Sequence, residues 1–185
     1  MAQLAGRRGQ TAATLNIEDL GIEFHTRRGV ARVVDGVSLS IGQGEIVGII
    51  GESGSGKTLT ALSILGLLPR GARIVSGDIR LNGESLLLLP EEKRRALRGD
   101  RVAFIPQDAL RALNPTMPVG VQVGEPLNIH RDTPWSLAKR KAVELLSSVH
   151  LREPERRALE YPHQFSGGMQ QRAMIAMGLA LEPHL

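Results

Sequence analysis

Gly51-Glu52-Ser53-Gly54-Ser55-Gly56-Lys57-Thr58 is the stretch on which the reading of this 185-residue chain turns. It fits the pattern G-x-x-x-x-G-K-[ST], and its flanks are those a phosphate-binding loop requires, a strand before it and a helix after it. Glu45-Ile46-Val47-Gly48-Ile49-Ile50 is a short, nearly continuous apolar run that predicts a strand buried on both faces. Residues 59–65 predict a helix, which Gly66 and Pro69 bring to a stop. Gly51, Gly54 and Gly56 let the backbone turn tightly with no Cβ in the way, so successive N–H groups along the loop can face one anion while the helix start adds its positive end. Lys57 brings a compact cation to the β and γ phosphates. Thr58 offers a hydroxyl to the Mg²⁺ that accompanies a nucleotide, a metal that prefers oxygen ligands. The bland alternative is an ordinary Gly/Ser-rich turn, which does not account for a strand and a helix set on either side.

A phosphate loop alone leaves many nucleotide-using classes open, and Ser166-Gly167-Gly168-Met169-Gln170 narrows them. Ser166 is a good N-cap, Gly167 and Gly168 are unhindered backbone, and Met169, Ala173, Ala176, Met177 and Ala180 follow at helical spacing. This helix start is a second place for an anion. With this pair of motifs the chain resembles the nucleotide-binding subunit of ATP-binding cassette (ABC) transporters, a family that carries the serine-glycine-glycine-x-glutamine turn as its own signature. The resemblance implies an α/β fold of the P-loop NTPase kind, with an antiparallel β subdomain, a helical subdomain and a core sheet that is incomplete in this chain. It implies that Gly51, Glu52, Ser53, Gly54, Ser55, Gly56, Lys57 and Thr58 hold the phosphates of ATP. Ser166, Gly167, Gly168 and Gln170 would serve the γ-phosphate of an ATP bound to a partner subunit in a head-to-tail dimer.

Arg101-Val102-Ala103-Phe104-Ile105 predicts another buried strand, ended by Pro106 and followed by Gln107. The resemblance makes Gln107 the residue that reaches Mg²⁺ and the attacking water, with Thr58 as the other metal contact. The run from Gln107-Asp108 to Leu113-Asn114-Pro115, and the Tyr161-Pro162-His163-Gln164-Phe165 lead into the signature turn, resemble the ATPases of dipeptide, oligopeptide and nickel importers.

Toward the amino terminus, Leu15-Asn16-Ile17, Ile22-Glu23-Phe24 and Val37-Ser38-Leu39-Ser40-Ile41 alternate apolar and polar residues, and Gly42-Gln43-Gly44 makes a turn. They predict the antiparallel β subdomain. Where the family places an aromatic ring against adenine, this chain has Arg28-Gly29. Arg28 has a guanidinium plane able to stack on a base, while the commoner reading of such a residue is a solvated loop arginine. ATP rather than GTP therefore rests on the resemblance. Two further helices are expected. One spans 90–98, with Glu91 and Glu92 in the first turn and Arg94, Arg95 and Arg98 toward the end. The other spans 133–151, capped by Thr133, with Pro134 in the first turn and Leu137, Leu145, Leu146 and Val149 on its apolar face. Trp135 is expected to pack within the helical subdomain, and Met169, Met174 and Met177 to form the core side of the signature helix. The domain plan is a mobile tail over 1–14, then a partial ABC ATPase domain over 15–185: β subdomain and phosphate-loop core over about 15–106, glutamine loop and helical subdomain over about 107–165, signature helix over 166–185.

Composition bounds the rest. The chain has 42% apolar residues and few aromatics, which suits one α/β domain. It has no cysteine, which excludes disulfides and thiol metal sites. No apolar run approaches a membrane span, and Arg7-Arg8 has no apolar region behind it to make an export signal. The formal net charge is +4, and all the cations but Lys57, Lys93, Lys139 and Lys141 are arginine. They are scattered without aromatic interleaving, so a solvated surface is expected rather than a nucleic-acid face. His25, His130, His150, His163 and His184 lack metal-ligand spacing.

The expected cofactors are ATP and Mg²⁺. The expected partners are a second ABC ATPase subunit, identical or related, two membrane permease subunits, and indirectly a solute-binding protein, at the cytoplasmic face of the membrane. Leu181 to Leu185 stand where the family's next strand would begin, ahead of an aspartate for Mg²⁺ and a glutamate that polarises water. The chain by itself is therefore expected to bind nucleotide weakly without turning it over. Three functions follow: the ATPase of a peptide or nickel importer, a binding-only fragment of one, or a soluble relative acting on nucleic acid or ribosomes.

Overall fold

The computed structural model describes residues 13–27, 29–108 and 112–185, which fall into two compact units divided between Arg94 and Arg95. The first is built on a four-stranded antiparallel sheet in the order β2-β1-β3-β4, from β1 (Ala13–Thr26), β2 (Gly29–Gly42), β3 (Ala72–Leu81) and β4 (Glu84–Ser85). The alternating stretches do form this hairpin. The tail expected over 1–14 falls mostly outside the described residues, and its last two residues belong to β1.

The core side chains of β1 are Leu15, Ile17, Leu20 and Ile22, a sequence that skips phase by one residue. Asp19 absorbs the skip: it has φ +48, and the register with β2 shifts between Ile17 and Leu20. Such a bulge adds one unpaired residue, which keeps the side chains on both sides of it on the inner face. Its free backbone groups are used. Asp19 N–H donates to Ser38 Oγ (2.9 Å), and Ser76 Oγ donates to Asp19 O (3.2 Å). Val34, Ile79, Leu81 and Leu86 complete this core.

Helix α1 (Lys57–Ile64) follows the phosphate loop as expected, and Leu65 with Gly66 (φ +64) ends it. The run before the loop does not form a buried strand. Residues 45–50 lie outside any strand, with Ile46 98% and Ile50 95% exposed. The reason is that a strand exists only where a neighbour takes its N–H and C=O groups, and no described residue pairs with this run. Helix α2 (Glu91–Leu97) has its acidic first turn, and Arg94 pairs with Glu91 at 3.1 Å.

The second unit is helical: α3 (Val119–Arg131), α4 (Trp135–Ser148), the short α5 (Pro154–Arg157), a 3₁₀ turn (Pro162–Gln164) and α6 (Gly167–Leu179). Leu113, Val119, Val123, Leu146, Phe165 and Met174 are among the side chains of its core, with Met169 and Met177 packed against them. The methionine expectation thus holds. Trp135 corrects another: it is 41% exposed at the start of α4 rather than packed in the core. Thr133 does not cap α4 either. Pro134 occupies the cap position, and Thr133 O accepts instead from Asn128 Nδ2 (2.9 Å).

Residues 101–105 are not the buried strand expected. Val102 is buried, whereas Phe104 and Ile105 are exposed. What exists is one rung: Leu185 N–H donates to Arg101 O (3.2 Å) and Leu185 O accepts from Ala103 N–H (2.8 Å), the two bonds that flank residue 102 in a parallel ladder. Among the described residues no helix is long and apolar enough to cross a membrane.

Candidate functional site

Within the first unit, residues 51–58 form one exposed loop that runs into α1. Gly54 and Gly56 have φ +83 and +88, the left-handed region that residues with a Cβ adopt at a cost. Gly56 is also close to its neighbours: a Cβ there would lie 2.8 Å from Val34 Cγ2 and 2.9 Å from Val33 O. This glycine therefore lets the loop rest against β2. A Cβ on Gly51 would meet Ser55 Oγ at 2.8 Å, which closes the loop on itself.

Gly56 is the N-cap of α1 and provides no side-chain cap, so the first N–H groups of the helix, from Lys57 onward, are left to an outside acceptor. Lys57 Nζ folds back over the loop and donates to Gly51 O (2.7 Å), Glu52 O (2.6 Å) and Ser55 Oγ (3.2 Å). Thr58 is exposed, while Thr60, two residues on and so on the opposite side of the helix, is buried and donates to Gly56 O (3.1 Å). The loop thus combines free helix N–H groups, an ammonium and a solvent-facing hydroxyl. That is a donor set suited to a phosphate chain and its oxygen-bound cation. Arg28, the candidate base contact, lies outside the described residues.

Within the second unit, Ser166 caps α6, its Oγ accepting from Met169 N–H (3.3 Å). Gly167 and Gly168 are exposed, with nothing within 4 Å of a Cβ placed on either, so another molecule can approach their backbone. Gln170 points the other way. It is 4% exposed, and its Nε2 donates to Pro162 O (2.7 Å) and Phe165 O (3.4 Å), so the amide holds the lead-in turn rather than facing outward with Ser166 and the glycines. Gln170, expected as a nucleotide contact, thus has its side chain on the protein side of the turn. Gln107 is exposed in a bend after the 101–105 stretch.

One residue of this unit escaped the sequence reading. Gln122, on the first turn of α3, is buried, and its side chain grips the 114–117 segment at three points. Its Oε1 accepts from Asn114 N–H (2.8 Å), and its Nε2 donates to Asn114 O (2.9 Å) and Met117 O (2.8 Å). Asn114 Oδ1 in turn accepts from Thr116 N–H (3.0 Å) and Thr116 Oγ1 (2.8 Å). The exposed turn at Asn114-Pro115-Thr116 is therefore a rigid one.

Comparison with known proteins adds an independent line. The family model described as ABC transporter matches residues 34–185. A protein of Sinorhizobium fredii named "Probable peptide ABC transporter ATP-binding protein y4tR" is 46% identical over 172 residues, 92% of this chain and 51% of the relative. The dipeptide transport ATP-binding protein DppD of Escherichia coli is 42% identical over 173 residues, 94% of this chain and 53% of the relative. The oligopeptide transport ATP-binding protein OppD of the same organism is 42% identical over 176 residues, 95% and 52% respectively. The chain spans about half the length of the curated relatives it matches. Among solved structures, the dimeric bacterial ABC transporter cassette MJ0796 superposes with a TM-score of 0.80 at 27% identity, covering 91% of this chain and 70% of that one.

Proposed function

This chain belongs to the ABC transporter family, and from that premise we propose that it is the ATP-binding portion of a subunit that drives peptide import. The observation that carries the proposal is the 51–58 loop, where an uncapped helix start, two left-handed glycines and the Lys57 ammonium converge. The names of the relatives, which speak of peptide, dipeptide and oligopeptide transport, support peptides as the solute class over nickel.

In this reading the backbone amides of 51–58 bind the phosphates, Lys57 exchanges its loop carbonyls for phosphate oxygens, and the Thr58 hydroxyl ligates Mg²⁺. Bound Mg²⁺ supplies the charge neutralisation that phosphoryl transfer demands. Gln107, at the end of the 101–105 stretch, orients water. The Ser166, Gly167 and Gly168 amides face the phosphates of a nucleotide held by a second subunit, and Gln170 fixes the turn that presents them. Assembly with permease subunits at the inner face of the membrane, and hydrolysis once that assembly forms, belong to the same proposal. The structure of the MJ0796 cassette with ADP and Pi supports a dimer as the working form.

The test is Mg-ATP titration followed by backbone amide shifts. Shifts should concentrate at 51–58 in the unaltered chain and disappear with Lys57→Ala. Uptake of Mg-ATP that leaves those amides unmoved would refute the assignment.

A further inference from the structure

All three donors of the Lys57 ammonium are engaged before any ligand arrives. An ammonium carries three N–H bonds, and here they go to Gly51 O (2.7 Å), Glu52 O (2.6 Å) and Ser55 Oγ (3.2 Å). Two of these acceptors are main-chain carbonyls, which a change of side chain does not remove. The third is a hydroxyl, so Ser55 is the point at which a substitution can alter the arrangement.

The local backbone sets that hydroxyl in place. Ser55 N–H donates to Glu52 O (3.2 Å), which closes a turn over 52–55, and the same Glu52 O accepts from Lys57. Ser55 Oγ then lies over the open side of Gly51, where a Cβ would stand 2.8 Å from it. Glycine at 51 thus leaves the room in which hydroxyl and ammonium meet. Ser55 is exposed, so its side chain is not required to fill a core. With every donor in use, each phosphate oxygen that Lys57 comes to serve must displace one of the present acceptors. The bond to Ser55, the longest of the three, is the first to yield.

We propose that Ser55 is a specificity-determining residue of the phosphate loop, whose hydroxyl holds the Lys57 ammonium back in the empty loop and so sets the threshold that an entering phosphate chain must exceed. The inference rests on reading 51–58 as a nucleotide loop and adds a restraint to it. Because the bond exists only while the loop is empty, it opposes binding, and removing it favours any anion that draws Lys57 away. The main-chain amides that face the phosphates keep their places when only the Ser55 side chain changes.

The experiment compares the unaltered 185-residue chain with Ser55→Ala and Ser55→Thr. Each is titrated with inorganic pyrophosphate and with ATP, both in the presence of Mg²⁺, and read at the backbone amides of 51–58. Ser55→Ala should bind both ligands about two- to fivefold more tightly, the size of one hydrogen bond at an exposed position. The factor should be the same for the two, since the nucleoside takes no part. Ser55→Thr keeps the hydroxyl and should return the affinity toward that of the unaltered chain. In the ligand-free chain the ammonium protons of Lys57 should exchange with water faster in Ser55→Ala, while the amides of β1 and β2 exchange as before. Affinity in Ser55→Ala that equals or falls below that of the unaltered chain, with 51–58 still responding, overturns this proposal alone. So does a gain for ATP without one for pyrophosphate. Amides of 51–58 that stay unmoved in every variant refute the nucleotide reading together with it.

Discussion

Replacing Gly56 and Gly54 separately by alanine separates two demands that the phosphate loop makes on glycine. Both residues have positive φ, +88 and +83, and forcing an L-residue into that region costs about 1–2 kcal/mol. For Gly54 that is the whole cost, since nothing lies within 4 Å of the added Cβ. At Gly56 the Cβ would also press on Val33 O at 2.9 Å and Val34 Cγ2 at 2.8 Å. The methyl can turn aside. The carbonyl is backbone, set between Arg32 and Val34, which both pair with β1, and gives way less easily, so crowding adds about 1–3 kcal/mol.

Gly56→Ala should therefore destabilise by roughly 2–5 kcal/mol, against about 1–2 for Gly54→Ala. Urea unfolding followed by circular dichroism measures both, and an unchanged slope certifies that stability alone has moved. Amide exchange along β2 should rise for Gly56→Ala only. Equal midpoints for the two variants would refute the argument that the loop is held against the hairpin at Gly56.

Four other outcomes follow from the helical unit. Gln122→Leu leaves Asn114 N–H, Asn114 O and Met117 O without their side-chain partner. It should cost about 2–4 kcal/mol, at roughly 1–3 per stranded group and with some rescue by water, and limited proteolysis should begin to cut near Thr116. Gln170→Met loses the bond to Pro162 O but also removes a buried Oε1 that has no partner, so its thermal midpoint should stay close to that of the unaltered chain. Gln170→Glu should instead lower the midpoint at pH 8 and recover part of the loss at pH 5, where a buried carboxyl takes up a proton (pH values approximate). Glu160 is held below the usual carboxylate range, chiefly by its hydrogen bond from Arg157 and further by Arg156. A depressed carboxyl adds stability above its unfolded pKa and loses it as the pH falls through the lower folded value. Acid titration of unfolding should thus show a limb below the ordinary carboxylate range that Glu160→Gln flattens.

The parts of the fold that were legible in sequence were those governed by neighbours along the chain. The 51–58 loop, the hairpin over β1 and β2, and the Ser166 cap are set by local turn chemistry and alternation. The 45–50 run failed as a strand because its apolar pattern describes what it could pair with, and pairing depends on distant residues. Helix α3 was missed for the same kind of reason. Gly120, Gly124 and Pro126 argue against a helix locally, but a Cβ on Gly120 would meet Ala158 O at 2.7 Å and one on Gly124 would meet Ala138 O at 2.9 Å. Close packing against α4 and the Ala158 backbone outweighs intrinsic propensity there. A signal for Gln170 did exist. At 3.6 residues per turn it falls on the same stripe as Ala173, Met174 and Met177, the inner face of α6. Gln122 left no such trace, because its three partners come together only when the 113–117 segment folds back on α3.

The way Lys57 rests on Gly51 and Glu52 makes anion capture an exchange rather than an addition. Two short charge-assisted bonds must be surrendered before the ammonium can serve a guest. A weak monovalent ion such as chloride offers too little in return, whereas a chain of phosphates replaces both bonds and fills the helix amides as well. The resting loop satisfies the ammonium with its own carbonyl dipoles, and that sets a threshold against the small anions of the surrounding solution.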